Sequence, residues 1–424
     1  MTTSPVAGRM PRSKLYKLVI ASSIGNALEW FDLIVYGFFA MTISKLFFPT
    51  SDETVSLLLA LGTFAVSYLI RPLGAIVLGS YADRVGRKAA MLVSIWLMML
   101  GTFLIAIMPT YASIGLLAPI GIFAARLIQG FSAGGEFGSA TALLVEHAPE
   151  RKGLISSFMF ASQGISGLLA SGFGLLLSSY LTVEQLESWG WRIPFLFGLL
   201  IGPIGLYIRR HIDEASEFQK SEPEHAPAGA LLRDHKYRML LAIGALVLST
   251  SVSYVIIYMP TYAVKQLGLT ASIGFAGTLL SGLVLTLLTP FIGHLSDVFG
   301  RTRIMFWAAL IFIASIYPAF SWLAAHPTLG ALLAVLFWMS VLKAVYFGGL
   351  PALMSELFPT QVRATGMALS YNIGTTVFGS FTPFFVAWLI GTSGNKLAPS
   401  FYLLATGLLS LITLLAIQRQ LRQR

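Results

Sequence analysis

The chain has 424 residues and a net charge of +10, and 56% of its residues are apolar whereas only 11% are charged. An ordinary soluble domain has about 25% charged residues, so the composition excludes a cytosolic enzyme, a disordered protein and a nucleic-acid binder and predicts an integral membrane protein. The absence of cysteine further excludes disulfides, thiolate metal sites and cysteine nucleophiles.

Apolar runs between polar segments predict twelve transmembrane helices, since a helix needs about 20 residues to cross the hydrocarbon core. The first run follows a basic segment and is too long for a signal peptide, so we expect it to be retained. We number these spans 1 to 12 in chain order, and they cover residues 17–45, 55–80, 89–109, 114–145, 153–181, 190–209, 237–263, 272–295, 304–324, 328–356, 364–391 and 399–417.

The longest polar gap, residues 209–238, divides the spans into two sets of six. Most of the 28 Lys and Arg residues fall in alternate gaps on one side of the membrane, together with both termini. By the positive-inside rule this side is expected to be cytoplasmic. The predicted regions are an N-terminal six-helix bundle (1–208), a cytoplasmic linker (209–236) and a C-terminal six-helix bundle (237–424).

The gap between spans 2 and 3 is repeated between spans 8 and 9. GSYADRVGRK at residues 79–88 matches GHLSDVFGRTR at residues 293–303, with Gly, Asp, Gly and Arg at one constant offset. A second pair of similar segments, residues 146–153 and 356–366, follows spans 4 and 10. Two six-span halves of similar design are typical of a duplicated transporter fold.

The repeated loop motif resembles the signature of the major facilitator superfamily. Further segments resemble the metabolite:proton symporter family, and most of all its citrate/tricarballylate branch; they are GNALEWFDLIVYG (25–37), RPLGA (71–75), RLIQGFSAGGEFG (126–138), WGWRIPF (189–195) and ELFPTQVRATG (356–366). The resemblance implies an all-α integral membrane protein with twelve transmembrane helices in two pseudo-symmetric six-helix bundles. It also implies a multi-pass location in a bacterial inner (plasma) membrane, with both termini cytoplasmic.

The charged residues of the loop motifs can pair only when the cytoplasmic ends of the two halves are together. A carboxylate beside a helix N-terminus is favourable, and such contacts would close the cytoplasmic side in the outward-open state. Alternatively, the basic residues only fix the topology. The predicted gating residues are Asp83, Arg84, Arg87, Glu146, Arg151, Asp297, Arg301, Glu356 and Arg363.

Ionisable residues within the spans are candidate functional residues, because each costs about 2.5–3.5 kcal/mol at the bilayer centre on insertion scales. They are Glu29, Asp32, Arg71, Arg126, Glu136 and Lys343. A rise of 1.5 Å per residue places all of them near the midplane except Arg126, which lies in the outer half within reach of Asp32. Transporters of this kind bind substrate near the midplane.

The resemblance implies that spans 1, 4, 7 and 10 line the central cavity. It also makes Asp32 and Arg126 similar to the proton-coupling pair of proton-driven sugar symporters, so that protonation of Asp32 would free Arg126 for a substrate carboxylate. The alternative is a static ion pair that holds spans 1 and 4 together. Glu29 and Glu136 are the other candidates for the proton carrier.

Lys343 is the residue that bears most on the substrate, because a basic residue opposite Arg126 suits an anion with carboxylates at both ends. Arg71 is a third candidate for the anion, or it pairs with Glu29 or Glu136 instead. The polar candidates could equally form hydrogen bonds between helices. The predicted substrate-binding residues are Arg126, Lys343, Arg71, Asn26, Tyr36, Gln129, Gln163, Tyr254, Tyr346 and Asn372.

The predicted function is proton-coupled uptake of a di- or tricarboxylate, with citrate or tricarballylate first. The alternatives are a symporter of 2-oxoglutarate, shikimate or a zwitterionic osmolyte such as proline or betaine, a multidrug exporter, and a membrane-embedded enzyme. Osmolyte transporters of this family tend to have a C-terminal extension, which favours the carboxylate. The expected partners are a small organic anion, protons and the lipid bilayer. We expect no catalytic residue, cofactor, metal, nucleic acid or obligatory protein partner.

Overall fold

The structure is a computed structural model that describes residues 12–85, 87–134, 136–199, 202–203 and 233–422, and over these residues it is helical with no strand. The helices are Arg12–Phe38, Ala40–Phe47, Glu53–Leu69, Arg71–Val85, Arg87–Ile107, Tyr111–Ile114, Leu117–Ser132, Glu136–His147, Lys152–Tyr180, Val183–Ser188, 193–199, Lys236–Leu267, Ala271–Phe299, Arg301–Ala325, Leu329–Leu357, Arg363–Thr375, Thr382–Ser393 and Ala398–Arg422. Short 3-10 turns lie at Gly190–Arg192 and Thr360–Val362, and a π-helical segment at Thr376–Ser380.

The predicted helical membrane fold is confirmed. Within the described ranges, nine helices are long and apolar enough to cross a membrane, and they correspond to spans 1, 2, 5 and 7 to 12. Spans 3 and 4 contain the shorter apolar helices Leu92–Ile107 and Leu117–Ser132. Span 6 lies partly beyond the described residues, and most of the predicted linker lies outside them.

Several spans are interrupted where the chain must bend. Span 1 is broken at Phe39, and span 2 changes helix at Ile70, directly before Arg71 and Pro72. Span 11 passes through the π-helical segment Thr376–Ser380, which packs on span 2. Breaks of this kind are tolerated in membrane helices when neighbouring helices satisfy the freed backbone groups.

The two halves meet most extensively along spans 5 and 8. Gly164 and Gly282 allow this approach, because a Cβ at Gly282 would overlap the backbone of Leu168 and one at Gly164 would overlap that of Thr286. Ser171 and Thr278 add a hydrogen bond of 2.9 Å between the two spans. Small residues at a helix contact are the usual basis of close packing in membranes.

Large apolar side chains cover the outside of the bundle. Trp96, Ile120, Leu287, Phe291 and Ile412 are each more than half exposed. Soluble monomers rarely expose so much contiguous apolar surface, whereas a helix bundle in lipid requires it. The exposed belt therefore agrees with a multi-pass membrane location.

Candidate functional site

A small cavity lies between the two halves. The N-terminal half contributes spans 1, 2 and 4 to its wall, and the C-terminal half contributes span 11. The lining residues are Asn26, Glu29, Trp30, Arg71, Ala133, Gly134, Phe137, Gly138, Ala368, Tyr371 and Asn372. Because both halves supply side chains, a ligand in this cavity would contact residues that separate when the halves move.

Arg71 is the basic residue of this cavity. Its side chain is 1% exposed, and its guanidinium carbon lies 3.9 Å from the ring centroid of Tyr68. Nη2 is 3.4 Å from Oε1 of Glu29, so the expected pairing with Glu29 is present. Nε of Arg71 has no hydrogen-bond partner among the described residues, and Nη2 has only its 3.4 Å contact with Glu29. Arg71 therefore has an unsatisfied N–H donor that can bind a carboxylate.

The neutral polar residues of the cavity join the two halves. Asn372 Nδ2 donates to the carbonyl oxygen of Gly134 at 2.6 Å, and Gln163 Nε2 donates to Tyr371 Oη at 3.3 Å. Asn26 Nδ2 donates to Met159 O and Ser162 Oγ, which are both on span 5. Asn26, Arg71 and Asn372 thus line the cavity, as the sequence predicts, and Gln163 reaches its wall. Sequence reasoning missed Tyr371 and Trp30.

Arg126 lies inside the N-terminal half and is not among the residues that line the cavity. Its Nη1 donates to Gln129 Oε1 at 2.7 Å and its Nη2 donates to Ser67 Oγ at 3.2 Å. The guanidinium carbon is 4.6 Å from the ring centroid of Tyr36 and 5.1 Å from that of Phe64. A fully buried guanidinium is thus enclosed by polar and aromatic groups.

Arg126 and Asp32 do not form the direct ion pair that the sequence suggests. Asp32 Oδ2 accepts a hydrogen bond of 2.5 Å from Thr102 Oγ1, which in turn accepts one of 2.9 Å from Gln129 Nε2. Since Gln129 also accepts from Arg126, the two charges are connected through Thr102 and Gln129. The neutral side chains of Thr102 and Gln129 therefore lie between the two charges.

Asp32 faces a second cavity, inside the N-terminal half. Spans 1, 3, 4 and 6 form its wall. The lining residues are Gly25, Leu28, Glu29, Phe31, Asp32, Ser94, Ile95, Met98, Met99, Ser132, Ala133, Gly198 and Gly202. Glu29 and Ala133 line both cavities, so the carboxylate of Glu29 lies between the space beside Asp32 and the space beside Arg71.

Lys343 is on span 10 and is also absent from the lining of the cavity between the halves. It is 7% exposed, and its Nζ lies 4.8 Å from the ring centroid of Phe347. No hydrogen bond or ion pair to Lys343 occurs within the described part of the chain. In this conformation Lys343 and Arg126 therefore do not face each other across a single cavity, which differs from the arrangement that the sequence suggests.

Four aromatic rings connect Lys343 to the cavity, and we call them the ring column. Tyr371 stacks on Phe137 at 3.8 Å between centroids, Phe137 lies 5.4 Å from Phe160, and Phe160 stacks on Phe347 at 4.1 Å. Phe137 and Phe160 belong to the N-terminal half, whereas Tyr371 and Phe347 belong to the C-terminal half. The column separates Lys343 from Arg71.

The remaining predicted tyrosines form contacts between helices. Tyr254 Oη donates to Tyr68 Oη at 2.6 Å, which joins spans 7 and 2. Tyr346 Oη donates to Ala245 O at 2.7 Å, and Tyr36 Oη donates to Ala60 O at 3.3 Å. Tyr68 also lies beside the guanidinium of Arg71, so this contact between the halves is next to the cavity.

We call one end of the bundle the motif end; there the chain connects spans 4 and 5, 8 and 9, and 10 and 11. Charged side chains form contacts between the halves at this end. Asp297 accepts hydrogen bonds from the backbone N–H groups of Gly153 (2.8 Å) and Leu154 (3.0 Å), at the start of span 5. Arg301 pairs with Asp297 and with Glu356. Three of the nine predicted gating residues, Asp297, Arg301 and Glu356, are therefore in contact here, and Arg151 is the residue before the helix that begins span 5.

A second ion pair at the motif end joins Arg363 Nη1 and Glu146 Oε1 at 2.9 Å. Glu146 belongs to span 4 and Arg363 to span 11, so this pair also crosses between the halves. The side chains of four predicted residues lie outside the described part of the structure, and they are Asp83, Arg84, Arg87 and Glu136.

The opposite end of the bundle is closed as well. Lys265 on span 7 pairs with Glu53 at the start of span 2. Phe275 on span 8 packs against Phe38 and Phe39 of span 1, at 5.7 and 5.8 Å between ring centroids. The two halves are therefore in contact at both ends of the bundle in this conformation.

Comparisons with known proteins agree with this architecture. The profile of the Major Facilitator Superfamily matches residues 22–288, and the profile of sugar (and other) transporters matches residues 208–418. The chain is 38% identical over 389 residues to the citrate-proton symporter of Klebsiella pneumoniae, covering 91% of this chain and 88% of that protein. It is 34% identical to the proline/betaine transporter of Escherichia coli K12, covering 94% of this chain and 83% of that protein.

The fold is also that of solved transporters. The xylose transporter of E. coli, in a partially occluded inward-open conformation, matches with a TM-score of 0.72 over 96% of this chain and 98% of that chain. The sequence identity is 18%, so this similarity concerns the fold alone. The two chains thus share one fold.

Proposed function

The chain belongs to the major facilitator superfamily, and on that premise we propose that it is a proton-coupled importer of a di- or tricarboxylate that works by alternating access. The observation that carries the proposal is Arg71, whose buried guanidinium lines the cavity between the halves, with an unsatisfied Nε–H beside its contact with Glu29. A buried cation with such a donor favours an anionic ligand. The citrate-proton symporter of K. pneumoniae, similar over most of this chain, suggests which anions to test first.

The substrate is proposed to bind across the halves. Arg71 holds one carboxylate from the N-terminal half, and Tyr371 and Asn372 contact the substrate from the C-terminal half. A ligand that touches both halves stabilises the occluded state relative to the open states. Asn372 bonds to Gly134, and Gln163 bonds to Tyr371, across the two halves. On this proposal, contacts with the substrate replace these hydrogen bonds when the halves move.

Coupling to the proton is proposed to involve Asp32 and Glu29. Glu29 already contacts Arg71, so a substrate carboxylate must compete with it, and protonation of Glu29 removes that competition. Asp32 is connected to Arg126 through neutral side chains and faces its own cavity. Asp32 remains the first candidate for the proton carrier, with Glu29 between it and the substrate. Glu136 is the third candidate.

Lys343 is proposed to bind a second substrate carboxylate. A buried lysine is costly in a membrane, and within the described residues no carboxylate pairs with it. Two rings of the ring column belong to each half, so movement of the halves would separate them and open the path between Arg71 and Lys343. On this proposal Lys343 receives the substrate on its way through the protein, and Arg71 holds it in the occluded state.

The motif end is proposed to be the cytoplasmic end, and both termini are proposed to be cytoplasmic, because the basic gaps lie on that side. Asp297, Arg301, Glu356, Glu146 and Arg363 would then close the protein toward the cytoplasm. Their separation exposes the cavity to the cytoplasm and releases the substrate. The loop residues Asp83, Arg84 and Arg87 are proposed to act in the same way.

A second candidate is the uptake of a zwitterionic osmolyte. Trp30, Phe137 and Tyr371 line the cavity together with Glu29, and aromatic faces beside a carboxylate suit a quaternary ammonium group. The relationship to a proline/betaine transporter points the same way. In the first candidate function the substrate carboxylate binds Arg71, whereas in the second the ammonium group of the substrate binds Glu29.

Uptake by the purified protein in liposomes with an imposed pH gradient tests the proposal. Radiolabelled citrate should accumulate when the outside is acidic, and tricarballylate should compete, while 2-oxoglutarate and shikimate compete less well. An ionophore that collapses the proton gradient is the control and should abolish accumulation. Accumulation of betaine, without accumulation of any carboxylate, would replace the first candidate by the second.

A further inference from the structure

Thr102 on span 3 connects the carboxylate of Asp32 to the side chains around Arg126. Its Oγ1 lies 2.5 Å from Asp32 Oδ2, 2.9 Å from Gln129 Nε2 and 3.0 Å from the carbonyl oxygen of Met98. Thr102 is 1% exposed and Gln129 is fully buried. The hydroxyl group therefore has three protein partners and no room to exchange them for bulk water.

The chemistry of these partners restricts where the hydroxyl proton can go. A hydroxyl group has one proton to donate and two lone pairs with which to accept. The amide of Gln129 can only donate to Oγ1, and the carbonyl of Met98 can only accept from it. When Asp32 is ionised, the hydroxyl proton points to Asp32. When Asp32 is protonated, its O–H can donate to Oγ1, and the hydroxyl proton turns to Met98.

We propose that Thr102 is a positioning residue that transmits the protonation state of Asp32 to Gln129 and Arg126 by this reversal of hydrogen bonds. The inference rests on the proposed proton symport. In the ionised state, Oγ1 accepts only from Gln129, and a charge-assisted bond to Asp32 strengthens that contact. In the protonated state, Oγ1 accepts from both Asp32 and Gln129. The hydrogen bond that Gln129 Oε1 accepts from Arg126 Nη1 then weakens.

The surroundings of Asp32 leave this connection as the route between the two charges. Span 4 presents Arg126 behind Gln129, span 1 presents Glu29 one turn from Asp32, and span 6 presents Gly198. Glu29 is the one other ionisable residue in the lining of the cavity beside Asp32. Span 3 contributes neutral side chains to this lining, among them Met98 and Met99.

A second observation indicates where the proton arrives. Asp32 Oδ1 has no hydrogen-bond partner among the described residues, and Asp32 lines the cavity of the N-terminal half. A Cβ at Gly198 would overlap this buried oxygen, so glycine leaves room for it. Oδ1 is thus the carboxyl oxygen without a partner, to which the proton adds, and the protonated carboxyl group then turns its O–H toward Thr102 Oγ1.

The test compares Thr102→Val, which keeps the shape and removes the hydroxyl, with Thr102→Ser, which keeps the hydroxyl. Proton-driven accumulation of radiolabelled citrate should fall about tenfold in Thr102→Val, since the variant loses the hydrogen bond to the charged carboxylate of Asp32. The pH profile of uptake should move to higher pH. Substrate counterflow, which needs no net proton movement, should stay within about twofold of the parent. Thr102→Ser should restore accumulation and the pH profile.

A spectroscopic measurement makes the result independent of the substrate. In an infrared pH titration of the protein in liposomes, the C=O band of protonated Asp32 is the band that Asp32→Asn removes. This band should shift in Thr102→Val and keep its position in Thr102→Ser. An unchanged band and an unchanged pH profile in Thr102→Val would overturn the role of Thr102. If the parent accumulates no carboxylate but the band shifts, the proposed substrate is wrong and the connection stands.

Discussion

The N-terminal half contains five of the six ionisable residues that lie deep in the spans, whereas the C-terminal half contains only Lys343, although both halves carry the same loop motif. The N-terminal half contributes Arg71 and Glu29 to the cavity between the halves, and Asp32 to a second cavity of its own. The C-terminal half contributes neutral side chains of span 11 to the first cavity.

The two halves share one loop motif, and the difference in charge within the membrane suggests different roles for them. The repeated loop segments form an ion pair and helix-end contacts between the halves, and such contacts suit opening and closing. The charges within the membrane are not repeated, so the proposed chemistry of substrate and proton is concentrated in one half. On the proposed function, the C-terminal half acts mainly as the moving wall of the cavity. Lys343 is its one charged residue predicted to lie deep in the membrane. Four predictions test this contrast.

Arg71→Gln should have the largest effect. Removing one partner of a buried charge pair costs about 3–5 kcal/mol, which corresponds to roughly two to three decades in Kd. We expect the Kd of citrate, measured by calorimetry on the purified protein, to rise by about that factor. Arg71→Lys is the matched variant. Its Kd for citrate should lie between those of the parent and of Arg71→Gln, because lysine keeps the charge but lacks the bidentate donors.

An equal loss in Arg126→Gln would contradict the placement of the substrate. Arg126 is enclosed by Gln129, Ser67, Tyr36 and Phe64, so its removal should affect coupling before it affects binding. If Arg126→Gln weakens citrate binding more than Arg71→Gln does, the substrate binds closer to Arg126.

Asp32→Asn should abolish proton-driven accumulation and leave counterflow partly intact. The change keeps the size of the side chain and removes the ability to carry a proton. The measurement is the ratio of internal to external substrate under an imposed pH gradient, which should fall to about one, as mass action requires without coupling. Glu29→Gln is the matched variant. Full accumulation by Asp32→Asn would exclude Asp32 as the proton carrier and leave Glu29 or Glu136.

The predictions for Arg71 and Asp32 also show which features could be predicted from the sequence and which could not. The apolar runs and the repeated loop motif predicted the helical fold and the two related halves, because burial and charge in a membrane strongly restrict composition. A rise of 1.5 Å per residue predicts the depth of a residue but not its direction around the helix. The sequence therefore placed Asp32 and Arg126 at compatible depths and did not show that Thr102 and Gln129 lie between them.

The same limit applies to the other missed residues. Tyr371 lies next to the predicted Asn372, but a single tyrosine in an apolar span is as typical of packing as of binding. Thr102 has no distinguishing sequence signal, since threonine is a common residue in membrane helices. Lys343 was recognised by its charge, and only the packing of Phe347 and Phe160 shows that the ring column separates it from Arg71.

Lys343→Gln should have a smaller effect than Arg71→Gln, because Lys343 lies outside the occluded cavity. We expect the KM for a tricarboxylate to rise about tenfold, which corresponds to about 1.4 kcal/mol, with a much smaller rise for a monocarboxylate analogue. Uptake by the protein in liposomes measures both. A matched variant on the same span, Ser340→Ala, should leave both values unchanged. Equal losses for both classes of substrate would show that Lys343 does not bind a second carboxylate.

Asp297→Asn should have the smallest effect, a shift in the population of open states. Asp297 accepts hydrogen bonds from the first backbone N–H groups of span 5 and pairs with Arg301. A carboxylate at a helix N-terminus contributes about 0.3–1 kcal/mol, so its loss should favour opening of the motif end about two- to fivefold.

Labelling of a single cysteine measures this shift directly, because the chain contains no cysteine of its own. Ala368→Cys places a thiol in the wall of the cavity between the halves, and its labelling by a membrane-impermeant reagent reports access. In liposomes with the reagent applied from the motif end, Asp297→Asn should label about two- to fivefold faster than the parent. Glu53→Gln, which breaks the exposed pair with Lys265 at the opposite end, should not speed labelling from the motif end, because exposed pairs contribute little and this one closes the other side. If both variants speed labelling equally, the contacts only stabilise the fold and do not close a particular side. If Asp297→Asn alone does so, the repeated loop segments control access while the charges of the N-terminal half, which are not repeated, control what is carried.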